Sequence, residues 1–487
     1  MKSKELIFRA DGNSEIGLGH LYRVFSLVEM LKEEYCFVFL TKGSSMLEII
    51  PEKYTIKIIP EDLSILEEAD WIINNYSSNE NIIIADGYQF ISGYQEKIKQ
   101  SGFQLVYIDD LIVEHMSADI VINHSPGITS EDYLNEDYTQ FALGTEFALL
   151  RPCFLELAKK NREIKEINSA FVCFGGADPF NLTIKAVEGL LESRGIETIH
   201  IVLGAAYKDE QISVLEKKYK SIKIYKNLSE LELIRVMLQC NIAIAPSSTI
   251  LYEICCVKMP VLSGYYVDNQ KKIYKELLKK SIIYGGDDFT NYKANDFKDK
   301  IEDIISSKLT LKYIGNQKKH FDGKSKVRFL GMINQLNISF RKAKEEDLLD
   351  VYNWSNDLLV RKNSFNSDLI KLEDHKKWYL NKIKNKKSLF LIILINGKKG
   401  GVVRFEVKKD ETTIGVLIAK NYRGQKLASK LLKESSKLYF NKFDKEIYAY
   451  IKKENKVSIK SFEKAGYKYF KERKINGSLS SIYKLEK

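Results

Sequence analysis

The sequence has few cysteines and histidines, six of each, and no hydrophobic run long enough to cross a membrane. The cysteines include no C-x-x-C pair and the histidines no H-E-x-x-H motif, which argues against structural zinc and a disulfide framework. We therefore expect the cysteines to be small buried side chains in a reducing compartment. The segment Met1 to Glu5 is charged, so we expect no signal peptide, no membrane contact and a cytoplasmic location.

Proline is missing from the last part of the chain. The seven prolines end at Pro260 and the six cysteines end at Cys256. The net charge changes in the same region. From Ile338 onward there are 36 Lys and Arg and 18 Asp and Glu, a net charge of +18. The preceding 337 residues contain 40 Lys and Arg and 47 Asp and Glu, a net charge of −7. Because 487 residues exceed the size of one ordinary domain, these changes predict a domain boundary near residues 330–340.

The formal net charge of +11 raises the question of nucleic-acid binding. The excess lies in the last third of the chain, where lysines are spread around the predicted elements and are not gathered with aromatic residues into a patch. We therefore expect no nucleic-acid partner. A basic module that binds RNA or acetylates a protein stays open as a minor alternative.

Residues 5–150 alternate short apolar runs with amphipathic stretches, the pattern of a parallel sheet covered by helices on both faces. A second series of the same kind begins after Leu150. We therefore predict an α/β fold with two Rossmann-like lobes, residues 1–152 and 153–335. The predicted strands are Leu6–Phe8, Cys36–Leu40, Thr55–Ile59, Asn81–Ala85, Leu105–Ile108, Ser169–Phe174, His200–Leu203, Ile222–Tyr225, Asn241–Ala245 and Pro260–Ser263.

The last 150 residues change rhythm, with helices inserted among clustered strands, which is typical of a separate α+β domain, residues 337–487. Asn396-Gly397 between two apolar runs predicts a tight hairpin, because both residues tolerate a positive φ. The predicted elements are strands Ile338–Arg341, Leu389–Ile395, Gly401–Val407, Thr412–Ile418 and Glu446–Ile451, and helices Glu345–Asp357, Glu373–Ile383, Gln425–Phe440 and Lys456–Ala465.

A glycine turn, Ile16-Gly17-Leu18-Gly19-His20, lies between the first predicted strand and the first predicted helix. Glycines let a ligand approach the backbone closely, and the N–H groups at a helix start favour a phosphate. The turn departs from a dinucleotide fingerprint, since Tyr22 stands where the third glycine is needed, and it lacks the lysine of a P-loop. A histidine at this place can act as a general base near neutral pH.

The segment Arg9-Ala10-Asp11-Gly12, followed by the glycine turn and Arg23, resembles the opening of the UDP-2,4-diacetamido-2,4,6-trideoxy-β-L-altropyranose hydrolases of pseudaminic acid synthesis. Further similar stretches are residues 144–152, 174–178, 247–253 and 268–270, so the resemblance covers roughly residues 5–335. It implies a GT-B arrangement of the two lobes, release of UDP by water with inversion at C1, and no metal.

The same resemblance implies roles for individual residues. His20 is expected to activate or orient the attacking water, and Tyr88 to flank the sugar, so these two are the catalytic candidates. Glu253 is expected to accept hydrogen bonds from the uridine ribose, which suits a carboxylate. The UDP-sugar-binding residues that it implies are Asp11, Gly17, Gly19, Arg23, Gly175, Gly176, Ser247, Ser248, Glu253 and Asn269.

Two motifs of the last domain resemble the GNAT acyltransferases. Residues 423–428 look like the R-x-x-G-x-G/A pyrophosphate loop, with Lys426 where the family has glycine, and residues 455–467 look like the family's N-x-x-[SA]-x-x-x-[YF] helix. The resemblance implies acetyl-CoA as the acetyl donor. The residues expected to bind it are Ile418, Arg423, Gly424, Gln425, Lys426, Leu427, Ala428, Asn455, Ser458 and Phe462.

One position departs from many GNAT relatives, which have tyrosine at the site of Phe462. A phenylalanine cannot protonate the leaving thiolate. The proton donor is therefore left open among Tyr448, Tyr450 and a water molecule.

Both motif sets on one chain predict a bifunctional enzyme of UDP-sugar metabolism. It would N-acetylate a UDP-4-amino sugar with acetyl-CoA and then hydrolyse UDP from the diacetamido product. The main alternative is a GT-B glycosyltransferase fused to a protein or amino-sugar acetyltransferase, and a second is the same hydrolysis on a related UDP-diacetamido sugar. Both partners are small molecules, and the oligomeric state is left open.

Overall fold

The structure is a computed structural model of the 487-residue chain. It describes residues 3–13, 15–175, 178–204, 207, 211–385, 387–407 and 411–487. The chain forms two compact units, one of Glu5–Lys326 and the other of Val327–Lys487 with residues 3–4. The division falls inside a helix, Ser325–Leu336.

The first sheet of the larger unit has seven parallel strands in the order β3-β2-β1-β4-β5-β6-β7. Its central strand Asn81–Asp86 is buried along its whole length, as expected of a parallel strand covered on both faces. The strands are β1 Glu5–Ala10, β2 Phe37–Lys42, β3 Ile56–Ile59, β4 Asn81–Asp86, β5 Gln104–Ile108, β6 Ile120–Asn123 and β7 Gln140–Leu143, and the helices between them are α1 Gly19–Leu31, α2 Ile65–Asn75 and α3 Ser92–Gln100.

The second sheet has six parallel strands in the order β10-β9-β8-β11-β12-β13. Apolar residues of its strands and of the surrounding helices form one continuous core. The strands are β8 Ser169–Val172, β9 Thr198–Leu203, β10 Ile222–Lys226, β11 Ile242–Pro246, β12 Val261–Tyr265 and β13 Tyr284–Asp288. The helices are α4 Pro152–Lys159, α5 Leu182–Glu192, α6 Gln211–Lys218, α7 Glu230–Gln239, α8 Thr249–Val257, α9 Asp268–Lys279, α10 Ala294–Ser306, α11 Thr310–His320 and α12 Ser325–Leu336.

The smaller unit holds a seven-stranded sheet in the order β14-β15-β16-β17-β18-β20-β19, antiparallel except between β17 and β18. Its two faces carry separate apolar cores. The strands are β14 Ile338–Lys342, β15 Ser388–Ile395, β16 Lys398–Val407, β17 Thr412–Ile418, β18 Ile447–Lys452, β19 Lys468–Ile475 and β20 Ser478–Leu485, and the helices are α13 Leu348–Ser355, α14 Leu358–Asn363, α15 Leu372–Lys384, α16 Ala428–Phe440 and α17 Lys456–Lys464.

These sheets confirm the predicted fold class of two Rossmann-like α/β lobes followed by an α+β domain. The hairpin prediction is also confirmed, because Asn396 and Gly397 join β15 to β16 with φ of 47° and 72°. Three strands of the larger unit were missed. β6 and β7 have four residues each, and β13 contains two glycines and two aspartates in five residues.

Two predicted helices of the smaller unit have the wrong bounds. The helix expected over Glu345–Asp357 ends at Ser355, because the Asp357 carboxylate accepts hydrogen bonds from the N–H groups of Leu359 and Val360 and starts a new helix. The helix expected from Gln425 begins at Ala428. Gly424 and Lys426 have φ of 79° and 56°, which no right-handed helix contains.

The prediction of buried cysteines holds for four of the six. Cys36 is exposed just before β2, and Cys153 is half-buried. Across the described ranges, no helix combines the length and apolar character needed to span a membrane. No group of three His, Cys, Asp and Glu side chains in those ranges is placed to hold a metal ion.

Candidate active sites

His20 and Asp86 meet at the carboxyl edge of the first sheet. Asp86 is the last residue of β4, and His20 lies in the first turn of α1, which follows β1. β1 and β4 are neighbours at the point where the strand order reverses, the place where ligands bind in open α/β sheets. Nδ1 of His20 lies 2.6 Å from Oδ1 of Asp86, and both side chains are buried.

Arg23 neutralises the Asp86 carboxylate from the next turn of α1. Its Nε donates to Oδ2 at 2.9 Å and its Nη2 donates to Oδ1 at 2.7 Å. The same Nη2 lies 2.8 Å from Nδ1 of His20. Because an unprotonated Nδ1 would repel Oδ1 at 2.6 Å, we assign the imidazole proton to Nδ1, donated to Asp86, which leaves the lone pair on Nε2.

Tyr88 and Asp110 complete this group. The Tyr88 ring packs edge-on against His20 with 4.7 Å between ring centroids, and its side chain is about half exposed. Asp110 accepts from Nη1 of Arg23 at 2.6 Å and from the Tyr88 hydroxyl at 3.5 Å. Burial and the neighbouring Asp110 charge raise the pKa of Tyr88, so its phenol stays neutral near pH 7 and can act as a polar wall for a ligand.

The glycine turn before α1 is open. Gly17 has φ of 80°, a conformation that favours glycine, and a Cβ atom placed on Gly17 or Gly19 would meet no atom within 4 Å. Space for a ligand therefore exists above the backbone of the turn. Asp11 lies deeper, where its carboxylate accepts hydrogen bonds from Arg9, the Thr41 hydroxyl and the backbone N–H of Lys42. A direct contact of Asp11 with a ligand stays a prediction.

Arg151 and Glu253 form an ion pair between the two lobes of the larger unit. Both Nε and Nη2 of Arg151 donate to the same oxygen, Oε1 of Glu253, at 3.0 and 2.7 Å. Glu253 lies in α8 with its side chain 9% exposed. Burial raises the pKa of Glu253, and Arg151 opposes that rise. Oε1 is thus held by the arginine, and a contact of Oε2 with a ligand stays a prediction.

The predicted diphosphate-binding loops follow β8 and β11, which are neighbours where the order of the second sheet reverses. Gly175 has φ of 85°, whereas Gly176 lies outside the described residues. Ser247 is fully buried, with its Oγ 3.0 Å from Oγ of Ser263. Ser248 directly precedes α8 without capping it through its side chain, and Asn269 is exposed on α9.

The predicted pyrophosphate loop precedes α16, whose first turn has no side-chain cap. A helix start of this kind favours an anion, and binding of a diphosphate here stays a prediction. Arg423 fixes the start of the loop, because its Nε donates to the carbonyl oxygen of Ile418 at 2.9 Å and its Nη1 donates to Asp357 at 2.7 Å. Nη2 of Arg423 is buried without a hydrogen-bond partner in the described part of the chain. The loop continues from Arg423 through Gly424, Gln425, Lys426 and Leu427 to Ala428, the first residue of α16.

The strands β17 and β18 separate beside this loop. Both are described in full, and they pair only at Thr412 with Ile447 and at Thr413 with Tyr448. Beyond that point the two strands leave a gap. Tyr450 lies just past the last paired position, and its hydroxyl donates to Glu411 at 2.8 Å.

Asn455, Ser458 and Phe462 lie on or next to α17. The side-chain oxygen of Asn455 caps this helix by accepting from the N–H of Ser458 at 3.1 Å. Phe462 is buried and packs edge-on against Tyr467 with 4.9 Å between centroids. Phe462 is thus a core residue, and its contact with acetyl-CoA stays a prediction.

Sequence reasoning missed the partners of the proposed residues. Asp86 and Asp110 follow the predicted strands Asn81–Ala85 and Leu105–Ile108, and nothing in the sequence pairs Asp86 with His20. Arg151 stood inside a motif, but its contact with Glu253 spans 102 positions. For the His20–Asp86 pair, the available signal was an aspartate at the end of a strand in a lobe with a glycine turn. For the Arg151–Glu253 pair, no sequence signal exists.

A cationic and aromatic group lies on the other face of the last sheet. The guanidinium of Arg404, on β16, lies 5.2 Å above the Trp378 ring. Its charge is only partly offset by Glu406 at 3.4 Å. His375 is buried nearby, and burial together with the Arg404 and Arg361 charges lowers its pKa.

Comparison with known proteins gives one family match and related proteins. Residues 337–468 match the family model described as an acetyltransferase (GNAT) domain. The chain is 26% identical over 438 residues to an uncharacterized protein of Methanocaldococcus jannaschii, covering 84% of this chain and 85% of that protein. It is 26% identical over 286 residues to the UDP-2,4-diacetamido-2,4,6-trideoxy-beta-L-altropyranose hydrolase of Campylobacter jejuni, covering 57% of this chain and 97% of that protein.

Among solved structures, one neighbour is an aminoglycoside acetyltransferase AAC(6')-Ib in complex with coenzyme A, 19% identical with a TM-score of 0.28, covering 31% of this chain and 95% of that one. The match of residues 337–468 shows that the chain carries a GNAT acetyltransferase domain. The chain is therefore an enzyme.

Proposed function

We propose that the chain is a bifunctional enzyme that acts twice on one UDP-sugar. The smaller unit N-acetylates the 4-amino group of UDP-4-amino-4,6-dideoxy-N-acetyl-β-L-altrosamine with acetyl-CoA. The larger unit hydrolyses the resulting UDP-2,4-diacetamido-2,4,6-trideoxy-β-L-altropyranose to UDP and the free sugar. The observation that carries this proposal is the His20–Asp86 pair at the strand-order reversal of the first sheet.

In the hydrolysis, His20 acts on water and Asp86 acts on His20. With the proton of the neutral imidazole on Nδ1, Nε2 accepts a proton from water as the water oxygen bonds to C1 of the sugar. The C1–O bond to the diphosphate breaks as the new bond forms on the opposite face, so the configuration at C1 inverts and the electron pair leaves with UDP. Asp86 stabilises the imidazolium that results, as a carboxylate does beside a histidine base.

The second lobe recognises the nucleotide. Oε2 of Glu253 is proposed to accept the ribose hydroxyls, while Arg151 holds Oε1 and keeps the carboxylate in a fixed orientation. Ser248 and the start of α8 are proposed to donate to the diphosphate, with Gly175 giving the close approach. Tyr88 and Asn269 are proposed to line the sugar.

The smaller unit fits acetyl-CoA. The open first turn of α16, the positive φ of Gly424 and the unpartnered Nη2 of Arg423 together offer donors to a diphosphate, and the gap between β17 and β18 offers a path for an extended arm. When bound, acetyl-CoA supplies an activated acetyl group as a thioester. The acceptor amine has to be neutral to attack it. The C–N bond forms as the C–S bond breaks, the nitrogen gives up one proton to water, and CoA leaves as the thiolate. Tyr450, beside the gap, is proposed as the proton donor to the thiolate.

The proposal is tested with purified protein, acetyl-CoA and the UDP-4-amino sugar, followed by mass spectrometry of the products. We expect the acetylated nucleotide sugar first and then UDP with free diacetamido sugar. His20→Ala should stop at the acetylated nucleotide sugar. Wild-type UDP release by that variant would refute the role of His20, and UDP release only after addition of a sugar or lipid acceptor would favour the glycosyltransferase alternative.

A further inference from the structure

The helix α12 contacts the predicted pyrophosphate loop, although it precedes the residues that match the GNAT family model. Gly331 lies in this helix, in the same compact unit as the loop. A Cβ atom on Gly331 would lie 2.4 Å from the carbonyl oxygen of Gln425, 3.1 Å from its carbonyl carbon and 3.2 Å from its Cα. The backbone of the loop therefore rests directly on the helix, at a place where any side chain would displace it.

A buried hydrogen bond fixes the same contact through side chains. Nδ2 of Asn334, one turn after Gly331, donates to Oε1 of Gln425 at 2.7 Å, and both residues are buried. Nε2 of Gln425 in turn donates to the carbonyl oxygen of Asn421 at 3.0 Å. The Gln425 amide thus has one defined orientation, with its oxygen toward α12 and its nitrogen toward the residues that precede the loop.

The loop needs such support because of the conformation that it adopts. Lys426 has φ of 56°. This conformation is strained for a residue with a Cβ atom, so it persists only where the surrounding structure imposes it. Gln425, the residue before it, is the one that α12 holds by both backbone and side chain. The direction of the N–H groups from Gly424 to Ala428 follows from this arrangement.

We propose that α12 is a structural part of the acetyl-CoA site and that Gly331 and Asn334 are positioning residues for the pyrophosphate loop. They do not touch the coenzyme. They hold the loop in the conformation that presents its N–H groups to the diphosphate. The inference rests on the proposed function, in which residues 423–428 bind acetyl-CoA.

The first test compares two glycine variants of the full chain. Gly331→Ala places a methyl group against the loop backbone, whereas Gly315→Ala, in the middle of α11, places one where no atom lies within 4 Å. We expect Gly331→Ala to raise the Kd for CoA in calorimetric titration, and the KM for acetyl-CoA, on the order of tenfold. Gly315→Ala should bind CoA as the wild type does.

The second test removes the side-chain bond without adding bulk. Asn334→Ala should raise the Kd for CoA about three- to tenfold, the usual effect of one buried hydrogen bond, while kcat at saturating acetyl-CoA changes little. Gln335→Ala, at the neighbouring half-buried position of α12, is the matched control and should bind CoA normally. Loss of folding of the smaller unit would instead lower kcat at saturating acetyl-CoA along with binding, so kcat and the thermal unfolding of each variant are measured alongside UDP release, which reports on the larger unit.

The outcomes separate the inference from the proposed function. If the wild type binds CoA and both Gly331→Ala and Asn334→Ala bind it equally well, α12 has no positioning role and the inference fails while the proposed function stands. If the wild type itself does not bind CoA, the proposed function of the smaller unit fails first. A rise in Kd confined to Gly331→Ala and Asn334→Ala, with UDP release retained, supports the inference.

Discussion

Oδ1 of Asp86 lies 2.6 Å from Nδ1 of His20 and also accepts a hydrogen bond from Nη2 of Arg23 at 2.7 Å. One carboxylate oxygen therefore serves both an imidazole and a guanidinium. The arginine offsets the negative charge that the buried carboxylate would otherwise carry alone. The consequence is a histidine that is oriented by Asp86 and has Nε2 available for chemistry.

This pair makes Asp86→Asn the sharpest variant of the larger unit. The amide keeps the shape of the carboxylate but can present its NH₂ group to Nδ1, which favours the tautomer with the proton on Nε2. We expect kcat for UDP release to fall roughly a hundred- to ten-thousandfold. Acetyl transfer by the same protein should be unchanged, which serves as the check on folding.

The matched comparison is Asp110→Asn. It removes a contact of Arg23 and of Tyr88 but leaves the His20–Asp86 pair in place. We expect its UDP release to fall less than about tenfold, the effect of one or two weakened polar contacts. An equal fall for the Asp110 and Asp86 variants would mean that charge near the site, and not the orientation of His20, limits the rate.

Arg151→Ala should weaken substrate binding more than it slows catalysis. Without the arginine, the raised pKa of the buried Glu253 rises further, and a protonated carboxyl loses part of its capacity to accept from ribose hydroxyls. We expect the KM for the UDP-sugar to increase on the order of tenfold with a smaller change in kcat, measured by UDP release. Glu230→Gln is the control, because Glu230 lies 3.9 Å from Arg151 and outside the proposed contact with ribose; an equal effect there would point to general electrostatics.

Tyr450→Phe tests the proton donor of acetyl transfer. Tyr450 lies past the last paired residue of β18, whereas Tyr448 is itself paired with Thr413 on β17. Burial and the hydrogen bond to Glu411 raise the pKa of Tyr450 to about 12, so its hydroxyl is protonated near pH 7 and holds the proton that the proposed role requires. We expect Tyr450→Phe to lower kcat for acetyl transfer at least about tenfold and Tyr448→Phe to leave it near the wild type. The reverse order would assign the role to Tyr448, and no effect of either would assign it to water.

The sequence predicted the fold class because its signals are local. Buried parallel strands appear as short apolar runs, and a tight hairpin appears as Asn396-Gly397, so both can be read without tertiary information. β13 shows the limit of this approach. Its sequence Tyr284-Gly-Gly-Asp-Asp has no apolar alternation, and it is a strand only because β12 provides a partner along the sheet edge.

Residues of the candidate sites could be predicted only where they belong to a short sequence motif. His20 and the loop 423–428 stand in recognisable turns. Asp86, Arg151 and Asn334 act through contacts with residues between 66 and 102 positions away, and such distances leave no pattern in a single sequence. The start of α16 was placed three residues too early because Gly424 and Lys426 have positive φ, and the sequence does not indicate such a conformation for a lysine.

His124, close to the first site, gives the larger unit a defined response to acid. The backbone N–H of Leu149 donates to Nδ1 of His124 at 3.1 Å, so this nitrogen is an acceptor and cannot take a proton without losing that bond. Burial lowers the pKa of His124 to about 3, and the Arg23 charge acts in the same direction, against a weaker opposing effect of Asp110. An unfolded histidine titrates near pH 6.5.

The sign of the effect follows from these two values. Above about pH 6.5 both states of His124 are neutral, and it contributes no pH dependence to the free energy of unfolding. Between about pH 6.5 and pH 3 the unfolded chain binds a proton that the folded chain refuses, so this free energy falls as the pH falls. Between about pH 7 and pH 5, we expect the free energy of unfolding of the larger unit to fall about 1–2 kcal/mol more in the wild type than in His124→Asn. Urea denaturation at the two pH values measures this difference. The control is Tyr252→Phe, which removes the hydroxyl that donates to the His124 carbonyl oxygen but keeps the imidazole. Its free energy of unfolding should be lowered equally at both pH values. A parallel pH dependence of the wild type and His124→Asn would show that His124 is not the group responsible.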